Sequence, residues 1–305
     1  MDLDKVQRFI DKVNKVGRFN LQGSPIECLK KLKYISDKKV THAAVLLFAK
    51  EGSVYNVHLG RFKTPSMIID DKMLRLTLFE AVEETQKYLI SQMKVAFEIT
   101  GVTTQRTEIL EYPLPAIREL ILNCLIHRDY LSPIDVQIKI FDHYITFYNP
   151  GKLYGDLTVD DLKTDNYQAN TRNKLIAEAF YLTGDIEKYG SGFRRIRREI
   201  EQYPTMKFDY QEIANGFLAT VSYSKQKTTT IEQKGSEKTV GKTVEKTVEK
   251  IKNIIADNPY ITQEEIVKIT GLSRRGVEWN IAKLKTQGLI ERIGPDNGGY
   301  WEIVK

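Results

Sequence analysis

Cysteine is almost missing: Cys28 and Cys124 are the only two in 305 residues, far apart and without the partner spacing of metal ligands. A disulfide framework and a zinc module are thereby excluded, and a reducing compartment fits. Long apolar runs are missing too. No stretch approaches the roughly 18 consecutive apolar residues of a membrane helix, and the opening MDLDKVQRF lacks the apolar core of a signal peptide. The chain is therefore expected in the cytoplasm, with no membrane partner. Nor does the sequence hold a phosphate loop of the form G-x-x-x-x-G-K-[ST]. GKT at 241–243 comes near, but Gly235 is one residue too far upstream and the segment is a repeat, not a strand-to-helix turn. This excludes a helicase motor built on that loop. HRD at 127–129 shares three letters with the kinase catalytic loop, but Ile134 stands where that loop needs Asn and no lysine-bearing strand precedes it. A kinase is excluded.

Against 40 acidic residues stand 46 basic ones, a net charge of +6. That surplus suits a nucleic acid without requiring one. The length allows two domains, and composition marks where they part. From Ser224 to Lys250 the chain reads SKQKTTTIEQKGSEKTVGKTVEKTVEK, with no aromatic residue and KTVx three times. The spacing of Val240, Val244 and Val248 allows this linker to extend the following helix or to pair with a second copy of itself. Four segments are expected: 1–105, 106–223, a charged linker 224–249, and 250–305. In the first, THAAVLLFA and VYNVHLGRF read as strands and Lys72–Ile99 as a long amphipathic helix. The second reads as a proline-started helix, a hairpin, a helix (NTRNKLIAEAFYL), a glycine turn opening another helix (KYGSGFRRIRREIEQY), and a strand (GFLATVSYS). That order predicts a two-layer α/β sandwich within an α+β chain.

The last segment predicts three short helices, 246–257, 263–270 and 274–286, with Ser273 capping the third and Gly288 ending it. LIERI and GYWEIV flank PDNGG, a strong turn signal, so a β-hairpin follows. The order is that of a winged helix-turn-helix, and LSRRGVEWNIAKLKTQGLIERIG resembles that family, which implies binding to double-stranded DNA. On the third helix Val277, Ile281 and Leu284 share the core face, leaving Arg275, Trp279 and Thr286 opposite, with Arg274 at the start. Ser273, Arg274, Arg275 and Trp279 are the expected DNA contacts, with Lys283 and Arg292 on flanking phosphates. Protein docking is the alternative for an exposed Trp279.

The helix from Pro115 to Arg128 is apolar nearly all round, yet Glu119 and Asn123 stand one turn apart on one face. Burying a carboxylate and an amide costs several kcal/mol unless something pairs with them, so a polar pocket or a local network is expected there. E-x-x-x-N on such a helix resembles the first motif of the ATPase superfamily of gyrase, heat-shock chaperone, histidine kinase and mismatch-repair proteins. The resemblance implies that Glu119 polarises the attacking water and that Asn123 holds magnesium on the phosphates of ATP. NPGKL at 149–153 lies where that family has D-x-G-x-G, with Asn149 for Asp and Leu153 for the second glycine. GSGF at 190–193 lies where it has a later glycine motif, and Gly190 and Gly192 would let backbone N–H groups approach a phosphate. Gly151 and His127, one turn beyond Asn123, complete the expected nucleotide-binding set. Over about 38–223 the chain is more closely similar to transcriptional regulators loosely labelled RecG-like. These carry a Schlafen/AlbA-type DNA-binding domain ahead of the ATPase-like one and often a winged helix behind it. This chain begins where that leading domain would have ended, so a short relative or a truncated chain is expected.

The sequence thus predicts a DNA-binding regulator, expected as a homo-oligomer, with a nucleotide-sensing ATPase-like domain. Magnesium-dependent hydrolysis of ATP and a scaffold that binds no nucleotide remain the alternatives.

Overall fold

The structure is a computed structural model describing residues 1–37, 39–52, 54–98, 106–164, 167–229, 250–272, 274–286, 288–295 and 299–304, with Arg275 and Lys283 as backbone only. It comprises two compact units, Met1–Glu232 and Gln233–Lys305.

The first unit begins with α1 (Leu3–Val16), which buries Val6, Phe9, Ile10 and Val13, a three-and-four spacing that makes one apolar stripe. After it come α2 (Pro25–Lys31), the two-residue strands β1 (Ile35–Ser36) and β2 (Lys39–Val40), and α3 (His42–Phe48). The segment THAAVLLFA, expected as a strand, is this helix. The Thr41 side chain accepts from the Ala44 N–H, capping its start, and Ala44, Leu46, Leu47 and Phe48 are all buried. A short apolar run buried on every side carries no periodicity to tell helix from strand. β3 (Val57–Thr64) and β4 (Met67–Leu74) form a hairpin. The helix expected over Lys72–Ile99 is confined to α4 (Leu78–Gln92), because the Glu80 carboxylate accepts from both the N–H and the hydroxyl of Thr77 and fixes the start there. β5 (Val95–Glu98) then pairs with β6 (Thr107–Leu110).

α5 (Leu114–Ile126), β7 (Val136–Ile140), β8 (Tyr144–Pro150), α6 (Val159–Lys163), α7 (Lys174–Leu182), α8 (Gly192–Glu201), β9 (Met206–Ile213) and β10 (Gly216–Tyr223) complete the unit. β9 was not legible as a strand in the sequence. The main sheet has six strands in the order β4-β3-β7-β8-β10-β9. Neighbours are antiparallel except β3 and β7, which run parallel because α4 and α5 lie between them in the chain and supply the crossover. Segments 1–105 and 106–223, read apart in the sequence, therefore share one sheet and one core. Val136, Ile138, Ile140, Ile145 and Phe147 are buried at alternate positions, in one core with Ile117, Leu120, Ile121 and Cys124 of α5. Gln137, Lys139, Thr146 and Tyr148, on the other face, are only half-buried. The fold is the expected two-layer α+β arrangement.

In the second unit residues 250–257 are helical (α9), followed by α10 (Gln263–Thr270), α11 (Arg274–Thr286) and the hairpin of β11 (Ile290–Ile293) and β12 (Tyr300–Ile303). Ile251, Ile255, Ile261, Ile266, Val277, Ile281, Leu284, Ile290 and Trp301 form its core. Residues 230–249 of the expected linker lie outside the described residues, as do 296–298 of the expected turn and Ser273. Among the described residues no helix is long and apolar enough to cross a membrane.

Candidate functional site

On α5 a four-residue spacing stacks Glu119, Asn123 and, just past its end, His127 into one stripe, while Ile117, Leu120, Ile121 and Leu125 fill the core. The stripe opens on a cavity of about 300 Å³. The end of β8 brings Asn149 and Gly151 to it, and the turn before α8 brings Gly190 and Gly192, so all seven sequence-predicted pocket residues line one space. Lys152, Lys174 and Lys188 line it too, which favours an anionic ligand.

Each of these groups has a distinct state. The Glu119 carboxylate lies 3.3 Å from Arg195 Nη2. Burial nonetheless lifts its proton affinity above that of an ordinary glutamate, outweighing the opposing pull of Arg195 and Arg118. The Asn123 side-chain nitrogen is buried and has no hydrogen-bond partner. Such an atom costs roughly 1–3 kcal/mol unless a ligand or water meets it. Burial, helped by Arg172, pushes His127 down to about 4, so it is neutral at pH 7 and can donate one hydrogen bond and accept another. Asn149 is 6 % exposed and sits opposite Phe217 in the β8–β10 ladder. Gly190 has φ +70°, and a Cβ there would come within 3.1 Å of the Tyr167 carbonyl oxygen, so the turn needs glycine on both counts. At Gly192 a Cβ would lie 2.5 Å from Glu119 Oε1; the start of α8 rests directly on the carboxylate. The Tyr167 hydroxyl accepts from the Phe193 N–H at that helix start.

Several of these residues escaped the sequence reading. Arg195 follows Gly192 by three residues and so falls on the same side of α8, but the spacing does not say that this side faces Glu119. Tyr167 and the three lysines were not legible, because they reach the cavity from loops or from outside any periodic pattern. The HRD letters have a structural use: Arg128 is 1 % exposed, donates to the carbonyls of Asn56 and Ile134, and lies against the rings of Tyr55 and Tyr130. Among the described residues no three His, Cys, Asp or Glu side chains could hold a metal ion together. A magnesium ion could use Asn123, whose amide offers an oxygen as well as the unpartnered nitrogen, with phosphate and water completing its shell. The cavity fits a magnesium nucleotide on that basis.

In the second unit Thr262 and Glu265 cap α10 reciprocally, Gly271 ends it, and α11 begins three residues later. Val277, Ile281 and Leu284 face the core as expected, and Trp279 is 56 % exposed. Arg274 stands exposed at the start of α11, 3.2 Å from Glu278 one turn on. The Arg292 guanidinium lies 4.9 Å from the Trp301 ring centre, and Lys285 Nζ 5.1 Å from it, anchoring both cations at the base of the wing. The side chains of Arg275 and Lys283 lie outside the described residues.

Residues 134–221 match the family described as "putative ATP-dependent DNA helicase recG C-terminal", and residues 245–291 match winged helix-turn-helix DNA-binding domains. No curated protein matches. The crystal structure of the DIP2311 protein from Corynebacterium diphtheriae is similar in fold, with a TM-score of 0.60 at 16% identity, over 97% of this chain. This chain spans 61% of that protein's length. Fold, site and family matches together define an ATPase-like α+β domain of the RecG C-terminal kind followed by a winged helix-turn-helix. The chain accordingly carries a nucleotide-binding-like domain and a domain of the winged helix-turn-helix DNA-binding kind.

Proposed function

We propose that this chain is a DNA-binding regulator that senses a magnesium nucleotide in its first unit, and that binding rather than turnover is the working event. The observation that carries this reading is the convergence of Glu119, Asn123, His127, Asn149 and the Gly190–Gly192 turn on one cavity, with the buried Asn123 nitrogen lacking a partner. Magnesium, when bound, would neutralise phosphate charge and fix the phosphates in place. Asn123 would hold the ion. Lys152, Lys174 and Lys188 would offset the remaining charge, and the N-terminus of α8 would present N–H groups to a phosphate. Neutral His127 would add a donor, and the Asn149 amide can hydrogen-bond a base. Glu119 is the residue that would serve as base if ATP were hydrolysed. The second unit would dock the N-terminal turn of α11 on duplex DNA through Arg274 and Arg275, with Ser273, Trp279, Lys283 and Arg292 around them. A homodimer over paired half-sites and a cytoplasmic setting belong to the same proposal.

Calorimetric titration of the full chain with magnesium-ATP tests the cavity. Saturable binding weakened at least tenfold by Asn123→Ala is the expected result. No binding at millimolar nucleotide would instead leave a DNA-bound scaffold.

A further inference from the structure

We propose that Arg195 governs Glu119: its guanidinium holds the carboxylate in an ion pair that keeps it from taking a proton from water. This deepens, and rests on, the reading of the cavity as a nucleotide site.

Both carboxylate oxygens meet α8. Oε2 lies 3.3 Å from Arg195 Nη2, and Oε1 faces Gly192 so closely that a Cβ would stand 2.5 Å from it. Gly192 and Arg195 are one turn apart, so a single helix face closes on the carboxylate from two points. A carboxylate acts as a base only where it can accept a proton; burial raises the proton affinity of Glu119, and the guanidinium beside it pulls that affinity back down and fixes the carboxylate's orientation. In hydrolysis Glu119 would accept the proton of the water whose oxygen bonds the terminal phosphorus, while the bond to the diphosphate oxygen breaks with its electron pair leaving on the diphosphate. In the ion pair it is poorly placed to do so.

The Arg195 side chain is 37% exposed, its Nε is buried with no hydrogen-bond partner, and its Nη2 rests on Glu119. Arg195 therefore acts on Glu119 as a positioning residue and holds basal turnover low.

The test is Arg195→Gln in the full chain. Steady-state hydrolysis of magnesium-ATP is expected to show kcat raised at least tenfold with KM little changed, because Arg195 acts through Glu119 and not on the nucleotide. The gain should vanish in the Arg195→Gln, Glu119→Gln double variant. A kcat at or below wild type, with nucleotide still bound, overturns the proposal. A ligand-free readout stands beside it: carbon-13 titration of the Glu119 carboxyl in the nucleotide-free protein should move to higher pH in Arg195→Gln and return toward wild type in Arg195→Lys. An unmoved midpoint also overturns it. If calorimetry finds no nucleotide binding in wild type or variant, the nucleotide reading falls, whereas the carboxyl titration still decides whether Arg195 holds Glu119.

Discussion

At the scale of single residues, protonation decides what the cavity can do. His127 takes up a proton with difficulty in the folded chain, where its affinity is depressed to about 4 from 6.5. The unfolded chain protonates first as pH falls, so the stability His127 contributes is complete above about pH 6.5 and is lost between there and pH 4. At pH 5 the loss should be about 2 kcal/mol. Urea unfolding of wild type and His127→Asn at pH 7.5 and pH 5 measures it: the variant should lose correspondingly less on acidification, and equal losses would remove the assignment. Glu119 works in the opposite sense. Its raised proton affinity means that its ionisation costs stability as pH rises past the ordinary glutamate range. Glu119 and Asn123 were legible in the sequence because polar residues one turn apart on an apolar helix have few explanations. Arg195 was not read as their partner, because sequence spacing relates residues within one helix and is silent about which helix packs across from it.

Among the elements, the start of α8 carries the most consequence. Alanine at the first position of a helix is ordinarily harmless, and replacing glycine inside a helix even stabilises by roughly 0.5–1 kcal/mol. At Gly192 the new Cβ would meet Glu119 Oε1 at 2.5 Å, the far end of a flexible side chain. Gly192→Ala should therefore change stability by less than about 1 kcal/mol while turning the carboxylate away from Arg195. Chemical denaturation together with a magnesium-ATP thermal shift checks this: near-wild-type unfolding and no remaining shift are expected, and a retained shift would show that the cavity does not depend on this approach of helix to carboxylate. α3 teaches the converse about legibility. Its apolar run permitted a strand as readily as a helix, and the outcome was decided by the Thr41 cap and by burial on every side.

For the molecule as a whole, the placement of charge would govern the proposed meeting with DNA. The net surplus is small, so any DNA affinity must come from where the cations stand. The proposed duplex contact rests on Arg274 at the exposed start of α11, with Lys285 and Arg292 at the wing. Replacing Arg274 and Arg275 together by alanine should reduce duplex affinity at least tenfold. The slope of log affinity against log salt should also fall by about one for each phosphate no longer neutralised. Fluorescence anisotropy over a salt series reads both, and unchanged affinity and slope would point to protein docking by the surface around Trp279.

The sequence alone determined the order and type of the elements from α5 onward, apart from α6 and β9, because periodicity, caps and turn residues are local interactions written over a few neighbouring positions. It also determined the winged helix to its helix bounds at 263–270 and 274–286. Only the tertiary structure decided that 57–74 joins the same sheet as 136–150, and that Arg195, Tyr167 and three lysines surround Glu119 and Asn123. Those are contacts between residues far apart in the chain, fixed by how β3 pairs with β7 and how α8 settles on α5, and no local pattern encodes them.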